Sequence, residues 1–139
     1  MSEQGLVVRA EQPTPLREGG FWYLASPYAG YAGYAGNRWT AFKLVCQNAA
    51  LLLRAGIPVF APIAHSHPIA TSEIQLPGGD HDLWLPLDEK FMAVSRGLIV
   101  LKLAGWDKSK GVTWEIDWFT ARGLPVVYME PGWVPKELS

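Results

Sequence analysis

The chain reads as an α/β protein, with helices alternating with the strands of a mostly parallel sheet. Three observations predict this. The run "GLIVLKL" (residues 97–103) is apolar on both faces, as a strand covered on both sides must be. Shorter apolar runs of the same kind, "FWYLAS", "PVFAPI" and "PVVYM", recur along the chain. Stretches with helical apolar spacing lie between them, punctuated by Gly and Pro.

In chain order, residues 1–19 read as an arm with at most a short strand at 6–9, and residues 20–139 as one domain. "FWYLAS" (21–26), closed by Pro27, is the first strand. Residues 37–55 form a helix: Asn37 can cap it, and Phe42, Val45, Cys46, Ala49, Leu52 and Leu53 recur at helical spacing. Gly56 stops it and Pro58 follows. "PVFAPI" (58–63) is a second strand, and the polar stretch 65–82, rich in Pro and Gly, reads as a loop. Residues 84–95 make a helix with Pro86 tolerated in its first turn. After the strand at 97–103, a helix runs from Gly111 until Gly123 ends it, and "PVVYM" (125–129) is the last strand. The expected architecture is a three-layer, doubly wound (Rossmann- or flavodoxin-like) sheet of four to five mostly parallel strands. Ligands of such sheets sit beyond the carboxyl ends of the strands, which directs attention to residues 26–37, 64–82 and 104–111.

Composition narrows the function classes. The chain has 139 residues, enough for one domain with a real core. A net charge of −1 and 18% charged residues give no electrostatic footprint for a nucleic-acid polymer. The single cysteine, Cys46, allows no internal disulfide and reads as a core thiol. The polar start, broken by Pro13 and Pro15, does not resemble a cleavable signal, and the longest apolar run, 49–53, is far too short to span a bilayer. A cytoplasmic, membrane-free protein is the expectation.

Glu115 is the residue out of place. On the helix after Gly111, Val112, Ile116 and Phe119 form the inward stripe, and Glu115 sits among them, whereas Asp117 shares a face with Thr113 and Thr120. A carboxylate near a helix start is favoured by the macrodipole, which explains an exposed one but not one on the apolar face. Asp88 repeats the pattern: Trp84, Phe91 and Met92 surround it at i−4, i+3 and i+4. Two inward carboxylates on successive helices can divide nucleophile and acid/base roles if their environments separate their pKa values. The plain alternative for Asp88 is a turn cap or an ion pair with Arg96 or Arg38.

Other candidates lie in the loops. His65 and His67 ("HSH") and His81 ("DHD") lie in one loop region, and ligand hydrogen bonding by His65 or His67 is the expectation; a metal site using His65, His67 and Asp80 is a further reading, but no complete ligand set accompanies them and no metal is expected. "YAGYAGYAG" (28–36) offers pliable glycines and stacking tyrosines, and it lacks a dinucleotide fingerprint. Ser109 and Gly111 at a helix start suit an anion, or Ser109 is simply the N-cap; Arg38 has the same double reading.

Taken together, strand–"ASPY", Arg38 opening a helix, "VFAPIAHSHPIA", Asp88, "GLIVLKLAGW", and Ser109, Gly111 and Glu115 resemble the nucleoside 2-deoxyribosyltransferase superfamily, in particular its small bacterial and phage branch. The resemblance runs from about Phe21 to Met129. It implies attack by Glu115 on the anomeric carbon of a nucleoside or nucleotide, forming a covalent glycosyl-enzyme. Asp88 would position the substrate or protonate the departing base. Ser109 would hold a 5′-phosphate, and Ser26 and Tyr28 would contact the ligand. It also implies a homodimer or larger homo-oligomer, which seven tryptophans would suit, and no cofactor. The expected activity is therefore an N-glycosidase or deoxyribosyltransferase. The alternative is a non-catalytic nucleotide-binding sensor. Helix N–H groups are expected to keep Glu115 ionised in a pocket.

Overall fold

A computed structural model describes residues 19–28, 37–76 and 81–138, with His81 described by its backbone only. Four parallel strands form one sheet: β1 (Trp22–Ala25), β2 (Val59–Phe60), β3 (Gly97–Leu101) and β4 (Val126–Met129), in the order β2-β1-β3-β4. The helices are α1 (Arg38–Arg54), α2 (Pro62–Ala70), α3 (His81–Val94) and α4 (Lys110–Ala121), with short 3-10 turns at Trp106–Lys108 and Lys136–Leu138. The register pairs Trp22 with Val59 and Gly97, and Leu98 with Val126. After β1 the chain moves outward to β2; after β3 it moves the other way to β4. The switch point of this doubly wound sheet therefore lies between β1 and β3. The possible strand at residues 6–9 lies outside the described residues.

Alternation along β1 divides the core. Trp22 and Leu24 face one layer, with Val45 and Leu52 of α1 and Ile63 of α2. Tyr23 and Ala25 face the other, with Met92 of α3 and Val112 and Phe119 of α4. Burying each large apolar side chain contributes about 1.5–3 kcal/mol. Every residue of β1 and β3 is buried, as befits central strands, while Tyr128 on edge strand β4 is exposed. At the start of β3 only a glycine fits, at Gly97. A Cβ there would stand 2.6 Å from the Trp22 ring and 2.8 Å from the Pro125 carbonyl oxygen.

The cap read from the sequence is present: the Asn37 side chain accepts from the Thr40 N–H at 3.0 Å, and α1 ends before Gly56 at φ +82°. A second asparagine closes the far end of the chain. Buried Asn48 donates to the Leu44 carbonyl and accepts from the Gly132 N–H, each at 2.8 Å, which pins the turn after β4 onto α1.

Two expectations need correction. The stretch expected to be a loop from residue 65 begins inside α2. Pro62 takes the first helical position, where its fixed φ and missing N–H cost nothing. Ile63, His67 and Ala70 bury at helical spacing, a stripe hidden from a hydropathy reading because its middle member is histidine. For the same reason β2 is only two residues long, since the helix begins where the strand was expected to continue. The helix around Asp88 starts a turn early, at His81, so Pro86 lies inside α3 rather than in its first turn.

Candidate active site

Three elements bring polar groups together beneath the α3–α4 face of the sheet. β1 contributes Tyr23, fully buried; α3 contributes Asp88; α4 contributes Glu115. Val112 and Phe119 of the α4 stripe are buried, Ile116 is partly buried and Asp117 is exposed, so Glu115 does lie on the inward side. It retains some exposure as a whole residue, but its carboxyl end is enclosed by protein. Aromatic rings form the surroundings. Tyr23 lies 6.0 Å from Phe119 and 6.1 Å from Phe60, and Phe60 stacks on Phe91 at 4.0 Å.

The charge state differs from expectation. Burial first, and then the negative charge of Asp88, push the Glu115 carboxyl up to about 8, with the Tyr23 hydroxyl pulling slightly the other way. Burial raises Asp88 to about 6. Glu115 is thus protonated at neutral pH in the ligand-free protein, and the expected stabilisation by helix N–H groups is not found. The reason is positional. Ser109 caps α4 and its hydroxyl already accepts from the Val112 N–H at 3.2 Å, while Glu115 stands in the second turn, past the free donors. Desolvation wins over the helix dipole. The pair holds one shared proton between its two titrations.

The sequence reading missed Tyr23. Its hydroxyl is sealed from solvent with no partner at full hydrogen-bonding geometry, yet it is close enough to Glu115 and Asp88 for both to oppose its ionisation. A buried, unpartnered hydroxyl beside two carboxyls is costly unless another group completes it. The available signal was a tyrosine inside the apolar run "FWYLAS", at the inward position of a central strand.

The remaining candidates fall elsewhere. Tyr28 and His67 meet on the opposite, α1–α2 side: the Tyr28 hydroxyl lies 2.5 Å from His67 Nδ1, and Phe42 stacks on the imidazole at 4.4 Å. Arg38, first residue of α1, lies over the Tyr28 ring at 5.6 Å. His65 and His67 are two apart on a helix and so project to opposite sides: His67 is buried, His65 is exposed and its ring is 6.2 Å from Phe60. That geometry removes the HxH pair as a chelate, and Asp80 lies outside the described residues. Among the described residues no group of three metal-ligating side chains is assembled. Ser26 is buried at the end of β1 with its hydroxyl unpartnered, at the switch point. Ser109 is engaged as the α4 cap, and a Cβ at Gly111 would meet only the Ser109 hydroxyl, at 3.9 Å, so no close approach demands that glycine. Of the Tyr-Ala-Gly repeats only Tyr28 is described. Cys46 is partly exposed rather than core, with burial raising its thiol pKa. No described helix is long and apolar enough to cross a membrane. A surface depression of about 330 Å³ between the Trp106–Lys108 turn and α4 is lined by Asp107, Lys108, Lys110, Thr113, Trp114 and Asp117, and includes neither carboxyl of the pair.

Residues 20–131 match a family described as a domain of unknown function, DUF1937. The chain belongs to the DUF1937 family. The matched segment spans β1 to the turn after β4 and includes Tyr23, Asp88 and Glu115. A search of curated proteins gave no match.

Proposed function

We propose that the protein is an N-glycosidase or deoxyribosyltransferase that cleaves the N-glycosidic bond of a nucleoside or nucleotide through a covalent glycosyl-Glu115 intermediate. One observation carries this reading: an enclosed and a half-buried carboxyl from different helices converge on a tyrosine hydroxyl sealed from solvent on the central strand. In the proposed reaction Glu115 attacks the anomeric carbon as Asp88 protonates the departing base, and water or a second base then resolves the intermediate. The reactive form has Glu115 ionised and Asp88 protonated. It carries the same total charge as the singly protonated resting pair, so binding has only to move the proton between the two. Positive charge developing on the sugar favours that move, because it stabilises the carboxylate nearest to it. The pH dependence of kcat/KM should accordingly be bell-shaped, with limbs near about 6 and about 8.

The protonated resting state of Glu115 also favours a second reading, a nucleotide-binding sensor in which the pair donates hydrogen bonds and performs no chemistry. A panel of nucleosides and 5′-monophosphates, with free base followed by chromatography and the protein by intact mass, separates the two. The glycosidase reading requires base release, a mass increase of one sugar residue, and loss of both in Glu115→Gln. Binding without release, unchanged in that variant, assigns the sensor.

A further inference from the structure

The charge of the candidate site narrows the substrate, an inference that rests on the glycosidase reading. Glu115 has its carboxyl end enclosed by protein and Asp88 is half-buried, and both lie near Tyr23, whose ring packs with Phe119 and Phe60, with Phe91 stacked on Phe60. With one proton between them the two carboxyls carry a net negative charge in a setting that screens it poorly. The basic residues of α4 are placed elsewhere. Arg122 stacks on Trp118 at 3.7 Å and donates to the Trp118 carbonyl, while Lys110, with Lys108, lines the depression on the solvent side of the helix beside Asp107 and Asp117. Ser109, the residue suited to a phosphate, spends its hydroxyl on the Val112 N–H. Aromatic faces add attraction for a cation.

We propose that the site selects N-glycosides by charge, preferring a positively charged base to a neutral one, and a nucleoside to its 5′-monophosphate. For a cationic base the electron balance needs no acid. Glu115 Oε forms a bond to the anomeric carbon, the carbon–nitrogen bond breaks, and its electron pair neutralises the ring nitrogen. Water then attacks the same carbon and releases the free sugar and the Glu115 carboxylate; Asp88 has kept its proton throughout, so the proton lost by water passes to solvent. For a neutral base the Asp88 proton must pass to the leaving nitrogen.

The test uses the full chain with guanosine, guanosine 5′-monophosphate and 7-methylguanosine, each also as its 2′-deoxy form, with spontaneous hydrolysis subtracted. Guanosine and its monophosphate share a base and a glycosidic bond, so their kcat/KM ratio reports charge selection; at least tenfold in favour of the nucleoside is expected. Asp88→Asn should lower kcat/KM about a hundredfold on guanosine but only a few-fold on 7-methylguanosine. A preference for the monophosphate, or equal losses on both bases, overturns the proposal. If no compound releases base, the glycosidase reading fails separately, and calorimetric titration of the same compounds decides the charge order: tighter binding of 7-methylguanosine than of guanosine upholds it, and tighter binding of the monophosphate overturns it.

Discussion

Two polar clusters flank β1, one on each side of the sheet, and they are built on opposite principles. On the α1–α2 side, His67 is satisfied: Tyr28 meets its Nδ1, Phe42 stacks on its ring and Arg38 covers Tyr28. On the α3–α4 side, Tyr23 has no partner at full hydrogen-bonding geometry, burial raises both carboxyls, and the charge of Asp88 adds to the cost of ionising Glu115. A completed network stabilises the fold it belongs to; an incomplete one costs stability that only a bound group can return. On the proposed reading, the Glu115 side takes the ligand and the His67 side is structure.

The largest effect expected from this contrast is at Glu115. Glu115→Gln should reduce base release by at least about a thousandfold, since a nucleophile has no substitute. It should at the same time stabilise the protein above pH 8, where the wild type must hold a buried carboxylate. Denaturant titration at pH 8.5 checks the second half. A variant that lost stability there would show that the carboxyl is paired and structural.

The next effect is in the pH dependence of stability, where the two clusters pull in opposite directions. Glu115 and Asp88 have raised pKa values, so the folded state holds their protons longer than the unfolded chain does. Their stabilisation is complete below the ordinary carboxyl range and is lost as pH rises to about 6 for Asp88 and about 8 for Glu115. The slope is at most about 1.4 kcal/mol per pH unit while Glu115 titrates. His67 is shifted down, by burial and by the charge of Arg38. Its contribution is present above its ordinary value of 6.5 and is lost as pH falls through the lowered one. Unfolding curves from pH 4 to 9 should show stability falling toward alkaline pH, with Glu115→Gln flattening that fall and His67→Phe steepening it below pH 6.5. His67→Ala, which empties a buried site against Phe42, should cost about 2–4 kcal/mol at neutral pH without altering the bell of kcat/KM.

How much of this was legible in the sequence follows from what each residue answers to. Strand β3, the α1 cap and the end of α4 depend on local chemistry, namely an unbroken apolar run, Asn37 and Gly123, and all three are where local reasoning puts them. Helix α2 was hidden because its buried face includes His67, whose burial depends on Tyr28 and Phe42, far away in the chain. For the candidate site, periodicity identified Glu115 and Asp88 as facing inward. It could not give the ionisation of Glu115, which is decided by desolvation and by a carboxyl on another helix. Nor could it divide the proposed ligand contacts between two sides of the sheet, because Tyr28 and His67 look like loop residues until the helix that carries one of them is known.

The smallest effects come from one substitution made on both sides of the sheet. Tyr28→Phe removes the oxygen that meets His67 Nδ1 and leaves a buried imidazole nitrogen unpaired, so it should cost about 1 kcal/mol. Tyr23→Phe removes a hydroxyl that has no partner at full hydrogen-bonding geometry, and at pH 7, where Glu115 is protonated, its stability should stay within about 0.5 kcal/mol of wild type or rise. Because the Tyr23 hydroxyl lowers the Glu115 pKa, its loss should also extend the alkaline fall in stability to higher pH. Urea midpoints of the two variants at pH 7 and pH 8.5 make the comparison directly. Equal losses in both would mean that Tyr23 is already satisfied without a ligand, and the contrast between the two sides would disappear.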